Sequence, residues 1–375
     1  MRSRVTISRW IPALTLVVAC VDPIHFDVTT PESLIILDGS ITDDAGPYTI
    51  TISRGLRLDS DTTKNEGVTG AKIMLLSDKG EAEPFVETGR GEYKTGGVIR
   101  GSIGTSYHII VQMADGGTFE SEPETIMPAG TIQDIRYQFE HRTVKKLEEI
   151  LRADVFNIFV DANANSTEEG STFVRWRMTG TYKVGTNPET HKTWIQGEFY
   201  YKTPFECSGY VVDPAIPGGV LRQATECTCC SCWIKQYESI PRLSDSDLVE
   251  GGAFRNLKVG EVPITRATFF EKYLVQIEQM TISKNAFNFF NIIRAQKEGA
   301  ASLFQPTPGV LKGNIKPVKS DYEIIGLFWA SSSYKKSIFI HESDVPYLLP
   351  VDDIPYPCTQ AYANSTTVKP QNWDE

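Results

Sequence analysis

The sequence predicts a mainly β fold, with an N-terminal antiparallel Ig-like β-sandwich followed by a larger β-rich domain with one or two helices. Short runs of β-branched and aromatic residues recur along the chain, and turn-forming clusters separate them at intervals of roughly 8–15 residues. Apolar residues at helical spacing are clear at one place only. The chain has 375 residues, which is more than one hydrophobic core usually serves, so two domains are expected.

Residues 1–19 have the pattern of a lipoprotein signal peptide. Three arginines precede an apolar stretch that is too short for a permanent membrane span, because a span needs roughly 20 apolar residues. The stretch ends in the residues VVAC, which resemble a lipobox with Cys20 as the acylated residue. We therefore expect lipid on Cys20 to anchor the protein to a membrane. The alternative is a soluble secreted protein with an ordinary cleavage site near Cys20.

The charge of the chain argues against a nucleic-acid partner. Removal of residues 1–19 takes away three arginines and no acidic residue, which changes the formal net charge from −10 to −13. Proteins that bind nucleic acid concentrate Lys and Arg on one face to neutralise phosphates, and no run of this kind occurs in the sequence. An acidic balance favours solubility but does not identify a partner.

Residues 20–128 are predicted as the sandwich domain. The clearest strand-like runs cover residues 33–42, 48–54, 71–78 and 106–121. Tyr48, Ile50 and Ile52 alternate with polar residues, which indicates a strand with one buried face. The Asp-Gly-Gly sequence at 115–117 predicts a tight hairpin turn. Prolines at 123 and 128 then interrupt the strand pattern, and we place the domain boundary there.

Residues 129–375 are predicted as the β-rich second domain. One helix is expected, with Ser283 as its N-cap, apolar residues at helical spacing, and an end at Glu298 followed by Gly299. A weaker helical pattern covers residues 143–151. The predicted strands of this part, which are rich in aromatic and β-branched residues, cover residues 132–139, 156–161, 172–184, 193–201, 273–282 and 322–330.

The second domain also contains a dense cysteine cluster, ECTCCSCW, at residues 226–233. With Cys20 acylated, six cysteines are left as disulfide candidates: Cys207, Cys227, Cys229, Cys230, Cys232 and Cys358. Export would place them where disulfides persist, and six cysteines allow 15 connectivities, among which the sequence does not choose. Adjacent Cys229 and Cys230 should have different partners, because a bond between them would be strained. We expect Cys207 and Cys358 to be the distant partners of the cluster.

A metal site is the alternative for these thiols. Structural zinc sites usually present two cysteine pairs with a long spacer between them, whereas this cluster places four cysteines within six positions without a spacer. We expect neither a metal nor another cofactor. No HExxH, GxSxG or GxxxxGK[ST] motif occurs, so the sequence contains no catalytic signature and predicts a protein that is not an enzyme.

Several short motifs together resemble the DUF4249 family of Bacteroidota lipoproteins. They lie at residues 20–24 (CVDPI), 41–53 (ITDDAGPYTITIS), 70–73 (GAKI), 91–93 (GEY), 115–121 (DGGTFES), 174–177 (VRWR), 232–233 (CW), 302–306 (SLFQP), 313–315 (GNI), 326–328 (GLF) and 369–373 (KPQNW). The resemblance implies an outer-membrane lipoprotein that works beside a TonB-dependent transporter. The chain differs from the pattern near its C-terminus, where Cys358 stands alone instead of in a close cysteine pair.

The sequence therefore predicts an outer-membrane, lipid-anchored binding or accessory protein that cooperates with a TonB-dependent transporter in nutrient uptake. The membrane, through the N-terminal lipid, and the transporter are its expected partners. Two alternatives from other classes are a secreted hydrolase whose site is dispersed along the sequence and a lipoprotein that binds metal through the cysteine cluster.

Overall fold

The described part of the chain begins at Leu34. The computed structural model describes residues 34–55, 66–146, 149–165, 173–195, 198–201, 204–213, 220–244, 252–299, 311 and 313–374. The predicted signal peptide and Cys20 lie outside these ranges.

β-strands dominate the described residues, as predicted. Those up to residue 128 are β1 (Ile35–Thr42), β2 (Thr49–Arg54), β3 (Glu66–Gly67), β4 (Lys72–Ser77), β5 (Ala82–Gly89), β6 (Glu92–Thr95), β7 (Ser106–Gln112), β8 (Thr118–Ser121) and β9 (Glu124–Thr125).

The elements after residue 128 are also mostly strands. They are β10 (Thr131–Glu140), β11 (Thr143–Lys146), β12 (Glu149–Arg152), β13 (Val155–Asn163), β14 (Val174–Gly185), β15 (Lys192–Ile195), β16 (Glu198–Tyr201), β17 (Tyr210–Asp213), β18 (Val220–Gln223), β19 (Ser231–Tyr237), β20 (Arg242–Leu243), β21 (Ala253–Pro263), β22 (Lys272–Thr281), α1 (Lys284–Gly299), β23 (Ile315–Lys319), β24 (Ile324–His341), α2 (Cys358–Ala361) and β25 (Ser365–Thr366).

The first strands bury one face each. Tyr48, Ile50 and Ile52 are buried, whereas Thr51 between them is exposed, so the predicted alternation is confirmed. These side chains join apolar residues of β1, β4 and β7 in one core. The sandwich-like packing follows from this pattern, because removal of apolar surface from water stabilises the fold by about 25 cal/mol per Å².

The predicted hairpin turn at residues 115–117 connects β7 to β8. The two strands pair antiparallel, with Gln112 opposite Thr118. Gly116 has a φ of 93°, a conformation that glycine adopts without a steric penalty. The backbone N–H of Gly117 donates to Oδ1 of Asp115 at 2.9 Å, which further fixes the turn.

β24 connects the two halves of the chain through one long strand of 18 residues. Its first half pairs in parallel with β1, with Ile35 opposite Ile324, and its second half pairs antiparallel with β22, with Lys272 opposite His341. The large sheet therefore runs in the order β23-β8-β7-β4-β5-β6-β2-β1-β24-β22-β14-β19-β25. Hydrogen bonding is thus continuous across the predicted domain boundary.

The N-terminal core also contains apolar side chains from the C-terminal half. Ile315, Ile324, Phe328 and Ala330 pack with the residues of β1, β2 and β7. The division at residue 128 stays a prediction, and the structure adds that strands from beyond this boundary complete the core before it.

A second core lies between β14 and β22 of the large sheet and a three-stranded sheet in the order β10-β13-β21. The ring of Trp176 on β14 meets that of Phe254 on β21 edge to face, with centroids 4.7 Å apart. Such aromatic pairs contribute about 0.5–1.5 kcal/mol beyond the area they bury.

Helix α1 begins at the predicted cap. The hydroxyl oxygen of Ser283 accepts a hydrogen bond from the backbone N–H of Ala286 at 3.1 Å, which satisfies one of the free donors of the first turn. Ala286 and Phe290 are buried against Leu327 and Trp329 of β24. The helix includes Gly299, one residue more than predicted.

The second predicted helix, at residues 143–151, is wrong. Strands β11 and β12 pair antiparallel there, with Val144 opposite Leu151, and form a ribbon separate from the larger sheets. All the residues of these two strands are exposed. A helix at this position would therefore have no core against which to bury an apolar stripe, and tertiary packing supplies most helical stability. The predicted strand at 193–201 is likewise a ribbon of two strands, β15 and β16.

A buried ion pair joins β14 to the end of β19. Nη2 of Arg175 lies 2.9 Å from Oε1 of Glu238, and the side chains are only 12% and 13% exposed. The guanidinium of Arg175 also stacks over Phe290 of helix α1, 4.1 Å from the ring centroid. Arg175 thus connects the large sheet to the helix.

Within the described ranges, none of the helices has both the length and the apolar character that crossing a bilayer requires.

Candidate interaction surface

A proline-rich segment near the C-terminus forms the centre of the candidate surface. We call residues 345–357, which lie between β24 and α2, the C-terminal strap. They contain prolines at 346, 350, 355 and 357, and they form neither helix nor strand. Proline lacks the backbone donor of a β ladder, so the strap cannot extend the neighbouring sheet.

Side chains and backbone groups fix the strap at several points. The guanidinium of Arg152 lies over the ring of Tyr347, 4.3 Å from its centroid, at the end of the β11–β12 ribbon. The backbone N–H of Asn187 donates to the carbonyl oxygen of Ile354 at 2.8 Å. The ring of Tyr356 lies 5.3 Å from that of His191, which directly precedes the β15–β16 ribbon. The strap therefore runs from the base of one ribbon to the base of another.

The strap and the β11–β12 ribbon expose large apolar side chains. Leu348 is 97% exposed and Val351 is 84% exposed, and on the ribbon Ile150 is 74% exposed. Val144 and Leu151 are exposed as well. Single exposed apolar residues are ordinary, but a group of them on connected segments is typical of an interaction site.

Hydrogen bonds to the side chain of Asp154 hold the base of the β11–β12 ribbon. Its Oδ1 accepts a hydrogen bond from the backbone N–H of Arg142 at 2.9 Å and lies 2.7 Å from Nδ1 of His141. Burial acts to raise the pKa of Asp154, but the hydrogen bonds from Arg142, Tyr347 and His141 outweigh it and leave the pKa below its ordinary value. The charged carboxylate therefore holds the ribbon in a defined position.

The structure pairs all six cysteines that the sequence singled out. Cys207 bonds to Cys229 and Cys227 bonds to Cys230, with Cα atoms 5.6 and 5.7 Å apart. The third bond joins Cys232 to Cys358, with a Cα separation of 5.8 Å. Adjacent Cys229 and Cys230 thus have different partners. Cys20 lies outside the described residues.

One of the disulfides holds a loop that carries exposed apolar side chains. The bond from Cys207 to Cys229 closes the loop that carries the β17–β18 ribbon, on which Val211 and Val220 are exposed. Gly209, which precedes β17, has a φ of 73°, and a Cβ there would lie 2.3 Å from the carbonyl oxygen of Thr225. Only glycine fits where the two ends of this loop meet.

Two cavities lie beside the cysteines. One has a volume of about 340 Å³ and is lined by residues of the strap, by the end of β14 and by Cys230, Arg266 and Phe270. The other is an open groove of about 690 Å³ between residues 205–207, 225–229 and 357–360. Both could receive side chains or a small ligand, although pockets that bury a ligand are usually more enclosed than the groove.

Ionisable side chains line the smaller cavity. Lys183 and Arg266, which line the smaller cavity, are paired with Glu271 and Glu342 at 3.1 and 2.6 Å. In the described ranges, no three His, Cys, Asp or Glu side chains are grouped so that they could hold a metal ion. Burial raises the pKa of the Tyr362 hydroxyl in the same cavity, so this phenol is neutral at physiological pH.

The sequence reasoning identified the cysteines but missed the strap. The signal was present in the run YLLPVDDIPYP at residues 347–357, where prolines are interspersed among aliphatic and aromatic residues. Prolines of this density rule out a sheet, and apolar residues that cannot enter a sheet or helix are candidates for exposure.

Comparison with known proteins adds a family but not an activity. No curated protein matches the chain. A family model described as a domain of unknown function, DUF4249, matches residues 21–337. This match covers most of the sequence, from before β1 into β24, so the chain belongs to the DUF4249 family.

Proposed function

We propose that this protein is an outer-membrane, lipid-anchored binding or accessory protein that cooperates with a TonB-dependent transporter in nutrient uptake. The membrane part of the proposal rests on the signal-peptide pattern of residues 1–19 and on Cys20. The three disulfides support export, because such bonds form and persist outside the reducing cytosol.

The observation that carries the accessory role is the exposure of Leu348, Val351 and Ile150 on connected segments. Water contact with so many large aliphatic side chains is unfavourable, and burial against a partner would remove it. The disulfide from Cys232 to Cys358 and the anchors of Tyr347 and Tyr356 hold the strap in place before binding. A fixed surface loses less conformational entropy on association than a mobile one.

A pulldown from the cell envelope tests the proposal. The tagged protein would be extracted in mild detergent, and co-purifying proteins would be identified by mass spectrometry. We expect a TonB-dependent transporter with the wild type, and its loss with the triple variant Leu348→Ser, Val351→Ser and Ile150→Ser. Serine removes the apolar contact at exposed positions, where substitutions usually change stability by less than about 0.5 kcal/mol.

The matched control is a triple serine variant at Val86, Val98 and Ile103, which are also exposed but lie in the N-terminal half. This variant should retain the transporter. Absence of a transporter from the wild-type sample would contradict the proposed partner. Equal recovery with both variants would contradict the role of the strap and the ribbon.

A further inference from the structure

A third cavity lies where the large sheet extends beyond the three-stranded sheet. Strand β10, at one edge of the smaller sheet, packs against β24, and β21, at its other edge, packs against β14. The large sheet continues past β14 to β19. The cavity has a volume of about 320 Å³ and lies between β21 and the end of β19. It shares no lining residue with the two cavities beside the cysteines.

Buried side chains form the inner wall of this cavity. Met178 of β14, Val259 of β21 and Tyr273 of β22 line it and are almost completely shielded from solvent. Gly260 lets β21 approach Met178 closely, because a Cβ at this position would collide with the sulfur atom. The pairing of β21 with β13 also shifts register between Gly260 and Lys258. Such β-bulges are frequent beside functional sites.

Neutral polar groups line the outer part of the cavity. The phenol O–H of Tyr273 donates to Oε1 of Gln236 at 3.3 Å, which orients the amide group. Within the described ranges, the amide nitrogen of Gln236 and the hydroxyl of Ser239 have no hydrogen-bond partner, and both residues are exposed. They are therefore free to bind a ligand: the amide nitrogen donates, and the hydroxyl donates or accepts.

Arg242 gives the cavity an uncompensated positive charge. Its place on β20 is fixed by antiparallel pairing with Trp176 of β14, and it is half-buried. It forms neither an ion pair nor a hydrogen bond with any other side chain that the structure describes. A half-buried guanidinium has lost part of its hydration, and an anion in the cavity would supply the missing interactions.

The two carboxylates that line the cavity already have cationic partners. Glu238 is paired with Arg175 at 2.9 Å. Glu261 accepts two hydrogen bonds from Arg142, at 2.8 and 3.0 Å. A cationic ligand would have to compete with these arginines, whereas an anion would meet the unpaired guanidinium of Arg242. The cavity therefore favours an anion over a cation.

The other lining groups narrow the class of anion. A guanidinium binds carboxylates and phosphates through its planar fork of N–H donors. A doubly charged phosphate would be repelled by the carboxylates of Glu238 and Glu261, so a singly charged carboxylate fits better. The free amide and hydroxyl suit a ligand that carries hydroxyl groups. The volume lies at the lower end of the range of about 300–1,000 Å³ for ligand pockets, which fits one ring but not an oligomer.

We propose that this cavity binds a small hydroxylated carboxylic acid of the size of one sugar ring. Its carboxylate binds Arg242, and its hydroxyl groups bind Gln236 and Ser239. The inference rests on the proposed binding function, since it names the class of nutrient that the protein would take. It concerns a site that neither the strap nor the β11–β12 ribbon lines.

Calorimetric titration of the purified mature chain tests the site, with glucuronate as the probe. We expect saturable binding of glucuronate. Glucose, which has a neutral CH₂OH group in place of the carboxylate, should bind at least tenfold more weakly, because a hydrogen bond to a charged group contributes more than a neutral one. Inorganic phosphate should also bind more weakly than glucuronate.

Variants of the lining residues locate the ligand. Arg242→Gln should weaken glucuronate binding by about tenfold or more, and Arg242→Lys should have a smaller effect, because lysine keeps the charge but not the planar fork. Ser239→Ala should weaken it by about threefold to tenfold. The matched control is Arg222→Gln, which changes an exposed arginine of β18 outside the cavity and should leave binding unchanged.

The titration and the envelope pulldown fail independently. Arg242→Gln should still recover the transporter, and the triple serine variant of the strap and the ribbon should still bind glucuronate. Loss of glucuronate binding in that triple variant would overturn the separation of the two sites.

Absence of saturable glucuronate binding by the wild type would overturn the proposal, and this readout needs no variant. Glucose or phosphate that binds as tightly as glucuronate would overturn the assignment of a carboxylate to Arg242. Unchanged binding by Arg242→Gln would place the ligand elsewhere and overturn the site. If Arg242→Gln does not fold, Ser239→Ala decides, since it removes only an exposed hydroxyl. Weaker glucuronate binding by Ser239→Ala would then support the site, and unchanged binding would overturn it.

Discussion

Cys232 on β19 and Cys358 at the start of α2 are bonded with Cα atoms 5.8 Å apart, although 126 positions separate them in sequence. Both are fully buried and pack with Val184 of β14. The backbone N–H of Cys358 also donates to the carbonyl oxygen of Cys229 at 2.9 Å. The end of the strap is therefore attached to the cysteine cluster by a covalent bond and a hydrogen bond.

We predict that loss of this disulfide is the most damaging of the three. In the chain-entropy model, a bond that closes a loop of this length stabilises the folded state by about 4–5 kcal/mol. The double variant Cys232→Ala and Cys358→Ala should lose an amount of this order in urea denaturation. The matched control removes Cys227 and Cys230, which are 3 positions apart, and the same model gives about 2 kcal/mol for so short a loop. Equal losses in the two variants would contradict the prediction.

The oxidation state of the cysteines gives a second prediction. Protein purified from the envelope should have no free thiol among the six described cysteines, because the export pathway that we propose leads to an oxidising compartment. Intact mass before and after reduction and alkylation measures this. Six free thiols, or stoichiometric zinc by elemental analysis, would favour a metal site at the cluster over the disulfides.

Acylation of Cys20 is the third prediction. The residue follows a short apolar stretch and Ala19, in the pattern of a lipobox. Growth with an alkyne-labelled fatty acid should label the wild type, and Cys20→Ala should take up no label. A variant that is still labelled, or a wild type that is not, would contradict the lipid anchor.

The buried pair of Arg175 and Glu238 gives a fourth prediction. Arg175→Met would leave the Glu238 carboxylate buried without its partner, at a cost of about 3–5 kcal/mol. Burial already raises the pKa of Glu238, and loss of Arg175 would raise it further. Because a raised pKa means stability lost with rising pH, the deficit of Arg175→Met in urea denaturation should be larger at pH 8 than at pH 5.

The double variant Arg175→Met and Glu238→Gln is the control for this pair. It removes the unpaired charge, so most of the deficit and its pH dependence should disappear. A deficit that is the same at both pH values in the single variant would show that lost packing on Phe290, rather than the charge of Glu238, is responsible.

Elements whose conformation depends on residues close in sequence were predicted correctly. Ser283 marked the start of helix α1, since a hydroxyl that caps the first turn acts within three residues. The burial of Tyr48, Ile50 and Ile52 followed from an alternation that is visible in the sequence.

Elements that depend on distant partners were missed or shortened. Strand β21 contains Arg255 and Lys258, which break the apolar pattern, and it pairs with β13 only through register shifts, with Asn256 at a φ of 51°. The second half of β24 has Lys335 and Lys336, and it is a strand because β22 pairs with it. The pairing of the cysteines depends on the whole fold for the same reason.

The last prediction concerns the boundary near residue 128. A fragment of residues 22–128 contains the strands from β1 to β9, which are enough for a sandwich of ordinary domain size. We expect it to fold with dispersed amide resonances but to be less stable than the same residues in the full chain, because it lacks the β24 edge beside β1 and the side chains of Ile315, Ile324 and Phe328. Addition of a peptide of residues 313–331 should raise its urea midpoint, since the peptide supplies these three side chains and eight register partners of β1. The same peptide with Phe328→Ser is the matched control and should have a smaller effect, because Phe328 is fully buried in this core. A collapsed spectrum for the fragment alone would show that the two halves share one core and that the boundary does not separate independent domains.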